Sequence, residues 1–169
     1  GHRVGAAAGE ERSRQKGESD MVRKMQEKDH QLYMELSGEF YDSDAVLHPI
    51  PVSYREETWK EMMRSDDFVK GYILEKDGVA AGYGLTSYTF SQEAGGRVAW
   101  LEELYIRPEY RCHGLGKEFF RYVDERIAPA VKRLRLEIEP DNLRAKKLYL
   151  AMGYEDLPYV QMVKEVEED

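Results

Sequence analysis

The spacing Arg111-x-x-Gly114-x-Gly116 stands immediately before a helical pattern and after a strongly apolar stretch, Val98 to Ile106. Backbone N–H groups at a helix start have no partner inside the helix and lie at the positive end of its dipole. Glycines let a ligand come close to that backbone. The chemistry implied is anion holding, for a phosphate or pyrophosphate. Four carboxylates, Glu102, Glu103, Glu137 and Glu139, lie on or beside strand-like segments, and each is a candidate base. A carboxylate in an apolar strand is costly to bury without a partner, and burial raises its pKa toward the value a base needs. Asn142 and Tyr149 are seven residues apart, two helical turns, so both can line one groove. A phenol stays protonated at neutral pH and can donate. On spacing alone, Tyr149 is better read as part of the apolar stripe of its own helix.

The elements that must position these groups follow from periodicity. Val22 to Met25 reads as a short first strand. Asp29 can cap a helix running to about Tyr41, with Leu32, Leu36 and Phe40 toward the core. A loop with two prolines follows, and Ser53-x-x-Glu56 has the form of a capping box for a second helix carrying Trp59, Met62 and Met63. Phe68 to Glu75 and Val79 to Phe90 read as strands joined by a turn at Asp77-Gly78. Val98 to Ile106, apolar on both faces, is predicted to be a central strand that ends before Pro108. The next helix carries Leu115, Phe119, Val123 and Ile127 on one stripe. Arg133 to Glu139 alternates as a strand and stops at Pro140. Ala145, Leu148, Tyr149 and Met152 stripe a last helix that Gly153 terminates. Tyr154 and Tyr159 to Lys164 read as closing strand material. The order is β-α-α-β-β-β-α-β-α-β, with the last strand divisible into two. That is an α/β fold with one mixed sheet flanked by helices, its alternation too irregular for a doubly wound architecture.

Composition bounds the rest. With 169 residues, 41% hydrophobic and 34% charged, the chain has the make-up of a globular domain with one substantial core. A net charge of −8 argues against general nucleic-acid or anionic-membrane binding and is compatible with a cationic substrate. One cysteine excludes an intrachain disulfide framework and a cysteine-based metal site, and the four histidines show no ligand spacing, so no metal is expected. There is no apolar run of transmembrane length and no secretory signal pattern, so the expected location is cytoplasmic. Residues 1–20 read as a polar tail, 21–165 as one domain and 166–169 as an acidic end.

The loop, its flanking strand and helix, and the PDNLRAKKLYLAMGY block resemble the GNAT superfamily of acetyl-CoA-dependent N-acetyltransferases over roughly residues 21 to 165. The resemblance implies a mixed, mostly antiparallel sheet and direct transfer of acetyl from acetyl-CoA to a primary amine. It assigns cofactor binding to Arg111, Cys112, His113, Gly114, Leu115, Gly116 and Lys117, whose amides would cradle the pyrophosphate. The backbone of Leu104, Tyr105 and Ile106 would pair with the pantetheine arm, and Asn142 would contact the cofactor. Tyr149 would protonate the leaving sulfur. Glu102, which matches a Glu of the diamine acetyltransferases, is the first choice of base. Glu137 is second, and many members need no dedicated base. A small amine or polyamine is the favoured acceptor. A peptide or protein amine is the alternative, as is a non-catalytic acyl-CoA-binding module, and a homodimer stays open.

The loop departs from the commoner pattern at Cys112, where glycine is frequent, and at His113, where Lys or Arg is frequent. Cys112 is tolerated there if its φ is negative. Cys112 is expected to be a buried, inert cysteine; the alternative is a thiol made oxidant-sensitive by the helix start, whose modification would block the cofactor. Strict strand parity places the Glu102 side chain on the same face as those of Leu104 and Ile106.

Overall fold

The computed structural model describes residues 21–167, so the expected tail at 1–20 lies outside the described residues, as does the end of the acidic segment. The chain divides into two compact units, 1–136 and 137–169.

The first unit holds the sheet. Its strands are β1 (Val22–Lys24), β2 (Val69–Lys76), β3 (Val79–Ser91), β4 (Gly96–Ile106) and β5 (Arg133–Leu136), in the spatial order β1-β2-β3-β4-β5. The first four pair antiparallel and β5 joins β4 in parallel, so the sheet is mixed and mostly antiparallel as expected. The β2–β3 hairpin turns at Asp77 and Gly78 with φ of 51° and 78°, the two left-handed residues that a tight hairpin of this hand requires.

Helices cover both faces. Helices α1 (His30–Tyr41) and α2 (Val52–Arg64) bury Tyr33, Leu36, Trp59 and Met62 against Ile73, Tyr83, Leu85 and Tyr105. On the opposite face, α3 (Leu115–Tyr122) and the π-turn Val123–Ile127 bury the expected stripe of Leu115, Phe119, Val123 and Ile127 against Val22, Tyr72, Leu74 and Ala99. Two glycines of β3 allow close approach. A Cβ on Gly84 would stand 2.6 Å from the Phe119 ring, and one on Gly82 2.1 Å from the Tyr105 carbonyl oxygen.

Several local expectations are corrected. Asp29 does not cap α1. Its carboxylate instead accepts from the Gln26 N–H and from both terminal nitrogens of Arg23 at 2.8 and 2.9 Å. Pro51, with its fixed φ, starts α2 at Val52, so Ser53 falls inside the first turn and Glu56 bonds to His30 at 2.9 Å instead of capping. Strand β5 stops at Leu136, three residues short of Glu139.

In the second unit, α4 (Leu143–Ala151) starts on a true cap, the Asn142 Oδ1 accepting from the Ala145 N–H at 3.1 Å. Gly153, with φ 94°, ends it. Its expected apolar stripe is not buried: Leu148 remains exposed. The closing strand over Tyr154 and Tyr159–Lys164 does not form, and Val160, Met162 and Val163 are exposed. A strand needs a neighbour to satisfy its backbone, and none is paired there among the described residues.

Candidate active site

Strand β4 is held unevenly. One edge pairs with β3 along its whole length, with Leu104 opposite Gly84, Tyr105 opposite Tyr83 and Ile106 opposite Gly82. The other edge pairs with β5 only from Val98 to Leu101, and the register ends at Leu101 opposite Leu136. Immediately beyond, the β3 register shifts: Leu85 faces Glu103, Thr86 faces Leu101, and Glu102 is the extra residue of a bulge. Beyond the bulge, backbone groups on the β5-facing edge have no ladder partner among the described residues. A strand with one open edge can take an extended ligand.

The bulge overturns the parity argument for Glu102. Leu101 and Leu104 both pack on the α3 side although three residues apart, which a regular strand does not allow. Glu102 is exposed and accepts from Ser87 Oγ at 2.6 Å. Ser87 alternates with Leu85, whose face is that of α1 and α2, so Glu102 is drawn toward that face and not toward that of Leu104 and Ile106.

Glu103, one of the four candidate carboxylates, is the one that Tyr41 and Tyr83 enclose. It is half-buried on the α1–α2 face, accepting from Tyr41 Oη at 2.5 Å and Tyr83 Oη at 2.7 Å. Burial pushes its carboxyl above the ordinary value against the opposing pull of the two phenols, and the Glu102 charge adds to the rise. The same contact, added to burial, drives the Tyr41 and Tyr83 phenols upward. The parity of Glu103 with Tyr105 was a usable signal, but Tyr41 and Tyr83 lie 62 and 20 residues away and nothing local announced them. On the same side of the sheet, Tyr105 Oη and the Arg107 guanidinium both donate to Glu39, which ties α1 to the end of β4.

After Arg107 the chain makes a 3-10 turn, Pro108–Tyr110, and enters the glycine loop. Arg111 Nε donates to the Ile106 carbonyl at 2.9 Å, so this side chain braces the end of β4, and its terminal nitrogens make no hydrogen bond among the described residues. Cys112 has φ 66°, not the negative value that its tolerance assumes, and its thiol is exposed, not buried as expected. The left-handed conformation explains why glycine suits this position, since a Cβ there costs roughly 1 kcal/mol. Gly114, with φ 82°, precedes α3. The first rung of the helix ladder is Glu118 N–H to Gly114 O at 3.0 Å, so the amides from Cys112 to Lys117 precede it. A Cβ on Gly114 meets nothing within 4 Å, and on Gly116 the nearest atom is Ile106 Cδ1 at 3.8 Å. Open space over Gly114 and a single ordinary contact at Gly116, in front of helix-start amides with no backbone partner among the described residues, fit a phosphate group. His113 and Lys117 are both exposed beside it.

Asn142, Tyr149 and Glu137 belong to the second unit. Asn142 spends its carbonyl oxygen on the cap, which leaves its amide nitrogen as a donor. Tyr149 is half-buried, its ring 6.0 Å from that of Tyr154, and burial raises its phenol, which therefore holds its proton at neutral pH. Glu137 accepts from Gln161 Nε2 at 3.2 Å. Among the described residues no group of three or more His, Cys, Asp or Glu could hold a metal, and no helix is long and apolar enough to cross a membrane.

Comparison with known proteins agrees with this fold. The model of the acetyltransferase (GNAT) family matches residues 30–154. Thialysine N-epsilon-acetyltransferase of Bos taurus is 29% identical over 151 residues, covering 81% of this chain and 85% of that one. An integron cassette protein from the mobile metagenome of Cole Harbour Salt Marsh superposes with a TM-score of 0.74 at 21% identity, covering 91% of this chain and 95% of that one. An aminoglycoside N-acetyltransferase solved in complex with CoA gives a TM-score of 0.67 at 19% identity, covering 85% and 93%.

Proposed function

The chain belongs to the acetyltransferase (GNAT) family, and from that membership we propose that it transfers an acetyl group from acetyl-CoA directly to a primary amine, a small amine or polyamine before a peptide or protein amine. The observation that carries the reading is the open edge of β4 past Leu101 leading into the glycine loop. An extended thioester arm needs such an edge, and a pyrophosphate needs such a loop. The names of the relatives support an amine acceptor, since thialysine and aminoglycosides both carry amines. The formal charge of −8 suits a cationic acceptor, and a cytoplasmic setting suits a chain with one cysteine.

Acetyl-CoA supplies an activated acyl group, and the roles of the protein are to hold, orient and move protons. The amides of Cys112 to Lys117 hold the pyrophosphate, with Arg111 adding charge. The backbone of Leu104, Tyr105 and Ile106 aligns the arm, and an N–H there polarises the thioester carbonyl. Asn142 gives its amide nitrogen to the cofactor. Tyr149, protonated at neutral pH, donates to the departing sulfur. Glu102, exposed on the bulge, takes the proton of the amine through water, and Glu137 is the second candidate.

A thiol-release assay with acetyl-CoA against a panel of amines tests the proposal. Release that depends on the amine and saturates with it is expected. Saturable CoA binding with no amine-dependent release would instead mark a non-catalytic acyl-CoA-binding module and overturn the transferase reading.

A further inference from the structure

One carboxylate on α1 holds the end of β4. Glu39, in the last turn of that helix, accepts from Tyr105 Oη at 3.3 Å and from Arg107 Nε and Nη2 at 3.1 and 3.0 Å. Arg107 reaches a third element as well. Its Nη1 donates to the Ala80 carbonyl at 3.3 Å, and its backbone N–H donates to the Ala81 carbonyl at 2.8 Å. The guanidinium thus joins α1, β3 and the residue after β4. Both side chains are partly covered, with 22% of Arg107 and 38% of Glu39 exposed. A lone ion pair at a surface contributes little, but a two-point fork that also serves a carbonyl fixes direction as well as distance. Glu35, one turn earlier on α1, stands 3.9 Å from Arg107 Nη2, beyond hydrogen-bond reach.

The place of this contact is informative. Tyr105 and Arg107 flank Ile106, the last residue of β4, and the Ile106 carbonyl accepts from Arg111 Nε. The junction between the open edge and the glycine loop is therefore held from α1 through Glu39 and from the loop through Arg111. From Glu102 onward β3 is the only strand paired with β4 among the described residues. Glu39 supplies from the helix side a restraint that the missing second strand does not give.

We propose that Glu39 is a positioning residue for acyl transfer: through Arg107 and Tyr105 it holds the last residues of β4 in one orientation to the glycine loop, so that the thioester on its arm and the diphosphate are kept together in the reactive arrangement. The inference rests on the acetyltransferase reading and adds to it a residue whose effect passes through two others. Displacing a reacting group by about 1 Å can slow a reaction by about a hundredfold, whereas affinity is spread over many contacts with the loop. Loss of Glu39 therefore shows in the rate of transfer and not in the affinity for the cofactor.

The test compares wild type, Glu39→Gln, Arg107→Lys and the double variant, each as the full chain. Two quantities are read: the single-turnover rate of acetyl transfer to saturating diaminobutane, or to whichever panel amine wild type uses best, and the affinity for CoA by calorimetry. Glu39→Gln should transfer about tenfold more slowly, with CoA affinity within about threefold of wild type. Arg107→Lys keeps the charge but cannot serve Glu39 and Ala80 together, so its rate should fall by a similar factor. Because the two residues act as one unit, the double variant should be no slower than the slower single variant. A transfer rate of folded Glu39→Gln within about twofold of wild type overturns the proposal, whatever happens to its melting midpoint. So do single losses that multiply in the double variant, and a CoA affinity that falls as far as the rate. Arg107→Lys alone decides, on rate and affinity, if Glu39→Gln fails to fold. A wild-type chain that transfers to no amine of the panel overturns the acetyltransferase reading itself and this inference with it.

Discussion

Replacing Gly116 by alanine separates the stability of the glycine loop from its proposed use. Gly116 is the second residue of α3, and the nearest atom to an added Cβ is Ile106 Cδ1 at 3.8 Å, an ordinary contact. Alanine is preferred to glycine in a helix by up to about 1 kcal/mol, and roughly half of that is expected in a first turn. For a chain of this size, 1 kcal/mol moves the midpoint by about 2–4 °C, so the unliganded variant should melt about 1–2 °C above wild type. In the proposed function the same methyl group stands where a phosphate approaches the backbone. A tenfold loss of affinity corresponds to about 1.4 kcal/mol, and at a fixed excess of CoA it removes that much ligand-induced stabilisation, or about 3–6 °C. The order of the two melting curves should therefore reverse: the variant higher without CoA and lower with it. Differential scanning fluorimetry across a CoA titration, with calorimetric affinities for both proteins, reads the effect directly. If the variant keeps its advantage at every CoA concentration, the phosphate does not sit over Gly116; a bulky residue at Gly114 should in turn weaken CoA binding, and normal affinity in that variant counts against the loop assignment.

Three further expectations follow from particular contacts. Tyr149→Phe should lower turnover while leaving CoA affinity nearly intact, because in the proposed mechanism only the departing thiolate uses the hydroxyl; unchanged turnover, at a rate shown to be limited by chemistry, removes Tyr149 from the mechanism. Gly82→Ala places a Cβ 2.1 Å from the Tyr105 carbonyl inside a paired strand, where neither backbone can retreat, and should cost about 3 kcal/mol, visible as a midpoint lowered by roughly 6–12 °C. Glu103→Gln should raise stability more at pH 8 than at pH 4. The folded protein holds the Glu103 proton more tightly than the unfolded chain, so wild-type stability falls as pH rises from the unfolded carboxylate value through the raised folded one, and glutamine removes that loss. Melting midpoints across that pH range check it, and a parallel displacement of the two curves would contradict an unneutralised Glu103.

The mid-chain unit was legible because its signals are local. A run of apolar residues, a proline stop and closely spaced glycines specify strand, turn and helix start without reference to anything distant. The Leu115, Phe119, Val123 and Ile127 stripe was equally plain, and all four are buried. The faults arose where distant partners competed with local preferences. Asp29 has the right type and position to cap α1, yet a charged contact with Arg23 outweighs a neutral cap. Glu56 fits a capping box, but Pro51 begins the helix earlier. Tyr159 to Lys164 has strand-like residues and no paired neighbour.

The carboxylates show the same division most clearly. The sequence by itself determined four of the five strands and the start of the fifth, the main helices, where the glycine loop lies, and that acids crowd the central strand, because periodicity, glycine and proline act through nearest neighbours. Which acid is enclosed, and by what, was decided only in three dimensions. A single extra residue at Glu102 ends the simple alternation of side chains across β4, and Tyr41 and Tyr83 come to Glu103 from elements 62 and 20 residues away. Register and burial are properties of packed neighbours, and no local pattern encodes them.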